Sequence, residues 1–161
     1  YLNTQNGVFM KVMAPAELMA QVGNEIGVSP WFEVTQENVN LFADVTIDHQ
    51  FIHLDEDKAA QTPFGGTIAH GFLTLSMLSH FAESGMSVGL EGTKMGVNYG
   101  FDKVRFIQPV RVGSKIRGRS TLASMEEKNP GQFLMKASVT VEIEGVEKPA
   151  LMAEWLTMAM V

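Results

Sequence analysis

Thr67 to Ala82 is a run of sixteen residues without Asp, Glu, Lys or Arg. A helix that apolar on every side has to be enclosed by the rest of the chain. The second half of the sequence supplies the means. Residues 94–110, 113–126, 132–144 and 147–160 are long, alternating and rich in Val, Ile, Phe and Thr. Met135, Ala137, Val139, Val141 and Ile143 recur with the period of a strand. Asn129-Pro130-Gly131 and Glu144-Gly145 are turn signals between such segments. The expectation is an α+β fold in which a long buried central helix is wrapped by a curved antiparallel meander. A membrane span needs about 20 mostly apolar residues. This run is shorter and carries His70, Thr74, Ser76, Ser79 and His80, so it reads as a core helix, with Thr74, Ser76, Ser79 and His80 as polar groups satisfied inside it.

The first half supplies shorter elements. Residues 14–27 carry helical spacing through Pro15, Leu18, Met19, Val22 and Ile26, with Gly27 as the stop. Trp31 to Thr35 alternates like a strand. Gln36 to Asp44 reads as a helix with Val39, Leu41 and Phe42 inward. Thr46 to His53 fits neither period and is expected to be irregular, and Glu56 to Gln61 makes one or two helical turns before Pro63. No repeat or linker interrupts residues 1–161, which read as a single domain.

Composition narrows the function. A net charge of −6 and a pI of about 5.2 argue against nucleic acid as a partner, because phosphate binding needs a basic face. The chain has no cysteine, which removes thiol nucleophiles, disulfides and thiolate metal sites, and suits a reducing compartment. The N-terminus shows no basic region followed by an apolar run, so the expected location is the cytoplasm, away from membranes. Eleven methionines read as adaptable core filling.

The chemistry is concentrated between Asp48 and Gly71. Asp48 and His53 stand five residues apart. Five extended steps span at most about 17 Å, so only a folded loop brings them together. If they meet around one water, they form an acid/base pair; otherwise Asp48 ends a helix and His53 is an ordinary half-buried histidine. Gly66 and Gly71 mark a helix start whose free N–H groups attract developing negative charge, or else they only turn the chain. His49 and His53 have the i, i+4 spacing of metal ligands, but the segment does not read as a helix, so no metal is expected. No Gly-x-Ser-x-Gly elbow points to a serine hydrolase.

Taken together these residues resemble the MaoC-like acyl dehydratases, which include the (R)-specific enoyl-CoA hydratases, and most of all the nodulation-protein-N-like branch. The likeness is carried by Leu41-Phe42-Ala43-Asp44 with Thr46, by Asp48-His49-Gln50-Phe51-Ile52-His53-Leu54-Asp55, and by Phe64-Gly65-Gly66-Thr67-Ile68-Ala69-His70-Gly71-Phe72-Leu73-Thr74-Leu75. It continues through Val97-Asn98-Tyr99-Gly100 and Val104-Arg105-Phe106-Ile107-Gln108-Pro109-Val110 with Gly113. The resemblance implies a hotdog fold, a homodimer or a larger assembly of dimers, and addition of water to a trans-2-enoyl thioester or its reverse, without a cofactor. It implies that Asp48 and His53 activate the water, that the N–H of Gly71 polarises the thioester oxygen, and that Ser79 touches substrate. It places Lys103 and Arg105 near the ligand, where they would meet the phosphates of an acyl-CoA; equally, they read as solvated strand charge.

Members of the family commonly carry Gly before the Asp and Asn-Pro within the element. Here those positions are Ile47, Gln50 and Phe51. A thioesterase on the same fold, in which water attacks the carbonyl, is the alternative enzyme. A non-catalytic acyl-CoA binding module is the alternative that the bulk of Ile47 and Phe51 would favour.

Overall fold

The computed structural model describes residues 2–3 and 9–161, with side chains from Met10 onward. Three two-residue strands come first: β1 (Leu2–Asn3), β2 (Phe9–Met10) and β3 (Val12–Met13). Helix α1 (Pro15–Met19) follows, then β4 (Glu25–Val28) and β5 (Phe32–Glu33). Helices α2 (Gln36–Thr46), α3 (Phe51–Leu54) and α4 (Glu56–Ala60) lead into the central helical run. That run consists of α5 (Gly71–Ser76), α6 (Leu78–Phe81) and a π-helical turn over Ala82–Met86. After β6 (Gly89–Leu90) come the long strands β7 (Met95–Phe106), β8 (Lys115–Asn129), β9 (Gln132–Ile143) and β10 (Leu151–Met160).

The long strands form an antiparallel sheet in the order β4-β8-β9-β10-β7, and β5 pairs with another stretch of β8. Only β8, β9 and β10 are a meander. The expected four-strand meander is corrected at its first member, because β4 and β5 occupy the second edge of β8 and β7 is carried across to β10. Leu78, Phe81 and Met86 from the helical run pack on Ile116, Val139, Val141, Leu151 and Trp155 of the sheet. The approach is close enough to require a glycine. A Cβ on Gly118 would fall on the Met86 sulfur and come within 3.0 Å of Phe81 Cβ. Overpacking of that kind costs about 1–3 kcal/mol.

Several local expectations are corrected. The helix expected over residues 14–27 stops at Met19; Gly23 turns the chain at φ 92°, and Gly27 lies within β4 rather than ending a helix. Leu41 faces out with 58% of its surface exposed, while Ala43 takes the inward place beside Val39. Thr46 to His53 is less irregular than expected, since α2 runs to Thr46 and α3 begins at Phe51.

The central helix begins at Gly71, four residues later than the uncharged run. Thr67 to His70 is extended because both of its edges are used. Ala69 N–H donates to the Val110 carbonyl at 2.8 Å and Val112 N–H donates to the Thr67 carbonyl at 3.0 Å. On the other side Ile68 N–H donates to the Ile52 carbonyl at 3.0 Å. The helix is also not enclosed all round. Phe72, Ser76, Ser79 and Glu83 recur at helical spacing and are exposed, leaving one open face. Ser76 Oγ satisfies itself by donating to the Phe72 carbonyl at 2.7 Å. Among the described residues no helix is long and apolar enough to cross a membrane.

Candidate active site

Helix α2 delivers Asp48. Its start is fixed by reciprocal capping, with Asn38 N–H donating to Thr35 Oγ1 and Thr35 N–H donating to Asn38 Oδ1, both at 3.1 Å. Its end is a left-handed turn at Ile47, φ 60°, which lets Asp48 N–H donate back to the Ala43 carbonyl at 3.1 Å. Glycine is the usual residue in that conformation, and a side chain there costs roughly 1–2 kcal/mol. The turn projects Ile47 into solvent, 81% exposed. Its bulk therefore does not enter the space around His53. Phe51 is also exposed and does not line the cavity described below.

Helix α3 delivers His53, which is buried. Its Nδ1 lies 2.7 Å from the Ile68 carbonyl. A carbonyl only accepts, so Nδ1 carries the proton and Nε2 keeps its lone pair. Gln36 Nε2 donates to the His53 carbonyl at 2.8 Å, and the Thr67 hydroxyl lies 2.8 Å from Gln36 Oε1. Thr67 N–H donates to Glu56 Oε2 at 2.8 Å, and this bond is the main cause holding the Glu56 carboxyl below its ordinary range. Burial is the largest influence on His53 and lowers its pKa from 6.5. The Ile68 bond opposes that, His70 adds to the lowering, and Asp48 opposes it.

His70 completes the cluster. It is buried, its ring stacks on His53 at 3.7 Å between centroids, and its Nε2 lies 3.0 Å from the Asp48 main-chain carbonyl. A carboxylate oxygen of Asp48 and one ring nitrogen from each histidine lie within 4.8 Å of one another. Stacked imidazoles direct their lone pairs side by side rather than at one point, so the cluster suits proton transfer better than a tetrahedral ion. The alternative metal set with His49 is not assembled; His49 is exposed and bonds to Asp44 at 2.9 Å.

A cavity of about 290 Å³ opens beside His53 and is lined by Gly71, Thr74, Phe106, Ile107 and Val110 among others. Gly71 is the first residue of α5, so its N–H has no carbonyl within the helix to bond. A Cβ on Gly71 would stand 3.0 Å from the Phe106 ring. His53 and Gly71 line this cavity together, and Asp48, which is not among its lining residues, joins them through its approach to His53. Ser79 is not with them; it lines a separate cavity of about 330 Å³ with Leu18, Ile26, Leu122 and Met135. Lys103 and Arg105 are exposed and line a third cavity, which meets the first at Ile107.

Sequence reasoning found Asp48, His53 and Gly71 but assigned nothing to the side chains of His70, Gln36, Glu56 or Thr67. His70 had a signal, as an imidazole directly before a glycine-marked helix start. Gln36 had none, because its partner is seventeen residues away.

The chain is 49% identical to nodulation protein N of Rhizobium meliloti, over 93% of each chain. It is 49% identical to 3-hydroxyacyl-thioester dehydratase Z of Mycobacterium tuberculosis, over 86% of this chain and 91% of that one. The (R)-hydratase of A. caviae has the same fold, with a TM-score of 0.68 at 23% identity over 83% of this chain and 95% of that one. Residues 17–144 match the family model described as MaoC like domain. The chain belongs to the MaoC-like dehydratase family and has its hotdog fold.

Proposed function

We infer that this protein is a hydro-lyase that interconverts a trans-2-enoyl thioester and the (R)-3-hydroxyacyl thioester. The observation that carries the reading is the buried His53 with its Nδ1 proton engaged by the Ile68 carbonyl, beside the Asp48 carboxylate. In the hydration direction His53 Nε2 takes one proton from a water that Asp48 holds. The resulting hydroxyl bonds to the β-carbon. The electron pair of the double bond moves onto the thioester oxygen, where the Gly71 N–H meets the enolate charge. As the enolate collapses, its electron pair returns to carbon and His53 Nε2 gives the proton it took to the α-carbon, so one water is added in full and the imidazole is regenerated. The two bulky residues that favoured a non-catalytic module, Ile47 and Phe51, are exposed and do not line the cavity beside His53. No cofactor is required, and the cysteine-free chain suits work in the cytoplasm.

The acyl thioester belongs in the cavity between His53 and Gly71. A CoA nucleotide would pass Ile107 to reach Lys103 and Arg105, and Ser79 would border the acyl tail in the apolar cavity. The second subunit belongs on β7. That edge strand is exposed on both faces, with Met95, Val97, Tyr99 and Phe101 uncovered and Tyr99 61% exposed. An unpaired edge of this kind invites another copy. The exposed Asp48 would become enclosed if the site lies near that boundary.

Replacing Asp48 by Asn or His53 by Ala is expected to lower the turnover of crotonyl-CoA by roughly 10²–10⁴ each, with a double variant little worse than either alone. Parent rates in both variants would end the assignment. Because burial keeps His53 below its ordinary pKa of 6.5, it is the free base at neutral pH, and hydration should fail only as pH drops through the lowered value. A pH–rate profile whose acid limb is centred at or above 6.5 contradicts this. Arg105→Ala should raise KM for the CoA thioester with little change in kcat, and leave a pantetheine thioester unaffected; an equal effect on both removes Arg105 from the ligand. Light scattering should report at least a dimer at micromolar concentration, and a stable 17.7 kDa particle would refute it.

A further inference from the structure

His70 touches both members of the acid/base pair, yet the chemistry above gives it no task. Its Nε2 must carry the proton, since the Asp48 carbonyl 3.0 Å away can only accept. Its ring lies on His53 at an interplanar angle of 24°, and Phe42 tilts against it at 5.0 Å. Its Nδ1 is buried without any partner among the described residues. A histidine kept only for packing would be better replaced by an apolar ring, because an unmatched buried nitrogen costs stability. The residue it anchors needs anchoring. Asp48 follows a left-handed, β-branched Ile47 and is itself exposed; besides His70, it is held by its N–H bond to the Ala43 carbonyl and by a long 3.5 Å bond from Gln50 N–H to its carboxylate.

We propose that His70 is the positioning residue of this site, an imidazole that ties down the Asp48 backbone with its Nε2–H and holds the His53 ring by stacking. One rigid side chain then sets the carboxylate and the His53 Nε2 against the same water. Its place directly before Gly71 links that pair to the N–H that meets the thioester oxygen. The proposal rests on the hydratase reading and goes beyond it in naming what holds the pair in register.

Two variants separate the two contacts. His70→Phe keeps the ring and removes the donor; His70→Gln restores a donor at similar reach and removes the ring. With crotonyl-CoA, His70→Phe should lower kcat about ten- to a hundredfold while KM stays within about twofold, and His70→Gln should recover part of the loss. In an Asp48→Asn background His70→Phe should add less than about threefold, since the residue it positions is already disabled. A parent-like kcat in His70→Phe, a loss confined to KM, or independent multiplication with Asp48→Asn overturns the proposal. Nitrogen-15 NMR of the unaltered protein decides the matter even if both variants misfold: His70 should be protonated at Nε2 and His53 at Nδ1. A His70 that lacks a proton on Nε2 in an active protein removes the anchor and leaves the hydratase reading standing. A parent inert toward every enoyl thioester ends the hydratase reading, and the positioning role with it.

Discussion

The Ile68 peptide is the joint on which the site is built. Its N–H bonds to the Ile52 carbonyl at 3.0 Å, and its carbonyl accepts the His53 Nδ1 proton at 2.7 Å. On its other side the same short segment pairs with residues 110–112. Backbone groups buried in a core have to be satisfied, and here their partners are the segment that carries His53 on one side and the sheet margin on the other. The histidine tautomer, the onset of the central helix at Gly71 and the separation between His53 and the Gly71 N–H all follow from that one extended stretch. The sheet then fixes the helix in depth, with Gly118 admitting Phe81 and Met86 to close contact.

Two opposite environments meet at this joint. His53 and His70 are buried and stacked, which disfavours a proton on His53 and leaves it poised as a base. Asp48 is exposed at the end of a strained turn. A carboxylate beside an imidazole that burial disposes to stay neutral is a suitable pair for moving one proton of a water molecule. The open face of the central helix and the uncovered strand β7 lie on the same chain as this half-open site.

The fold was legible in the sequence wherever periodicity was long. The strands of the second half were found within a few residues because alternation over ten or more positions records burial on one face. Helix α2 was found for the matching reason, from the spacing of its apolar residues. Errors arose where backbone pairing overrode composition. Thr67 to His70 look helical by their lack of charge but are extended, because both edges are hydrogen-bonded to segments distant in sequence. Residues 20–27 carry helical spacing, yet β4 is drawn into pairing with β8. The same limit applied to the site. Asp48, His53 and Gly71 were visible from their local pattern, whereas the support from Gln36, Thr67 and His70 consists of contacts that only the fold creates.

The central claim is that water adds across a carbon–carbon double bond at Asp48 and His53. It is tested most directly by incubating a trans-2-enoyl-CoA with the protein in oxygen-18 water and identifying the labelled product by mass spectrometry with chiral analysis. The account predicts an intact thioester bearing one heavy oxygen at C3, in the (R) configuration. Heavy oxygen in a free carboxylate, with CoA released, would instead show attack on the carbonyl and contradict the claim.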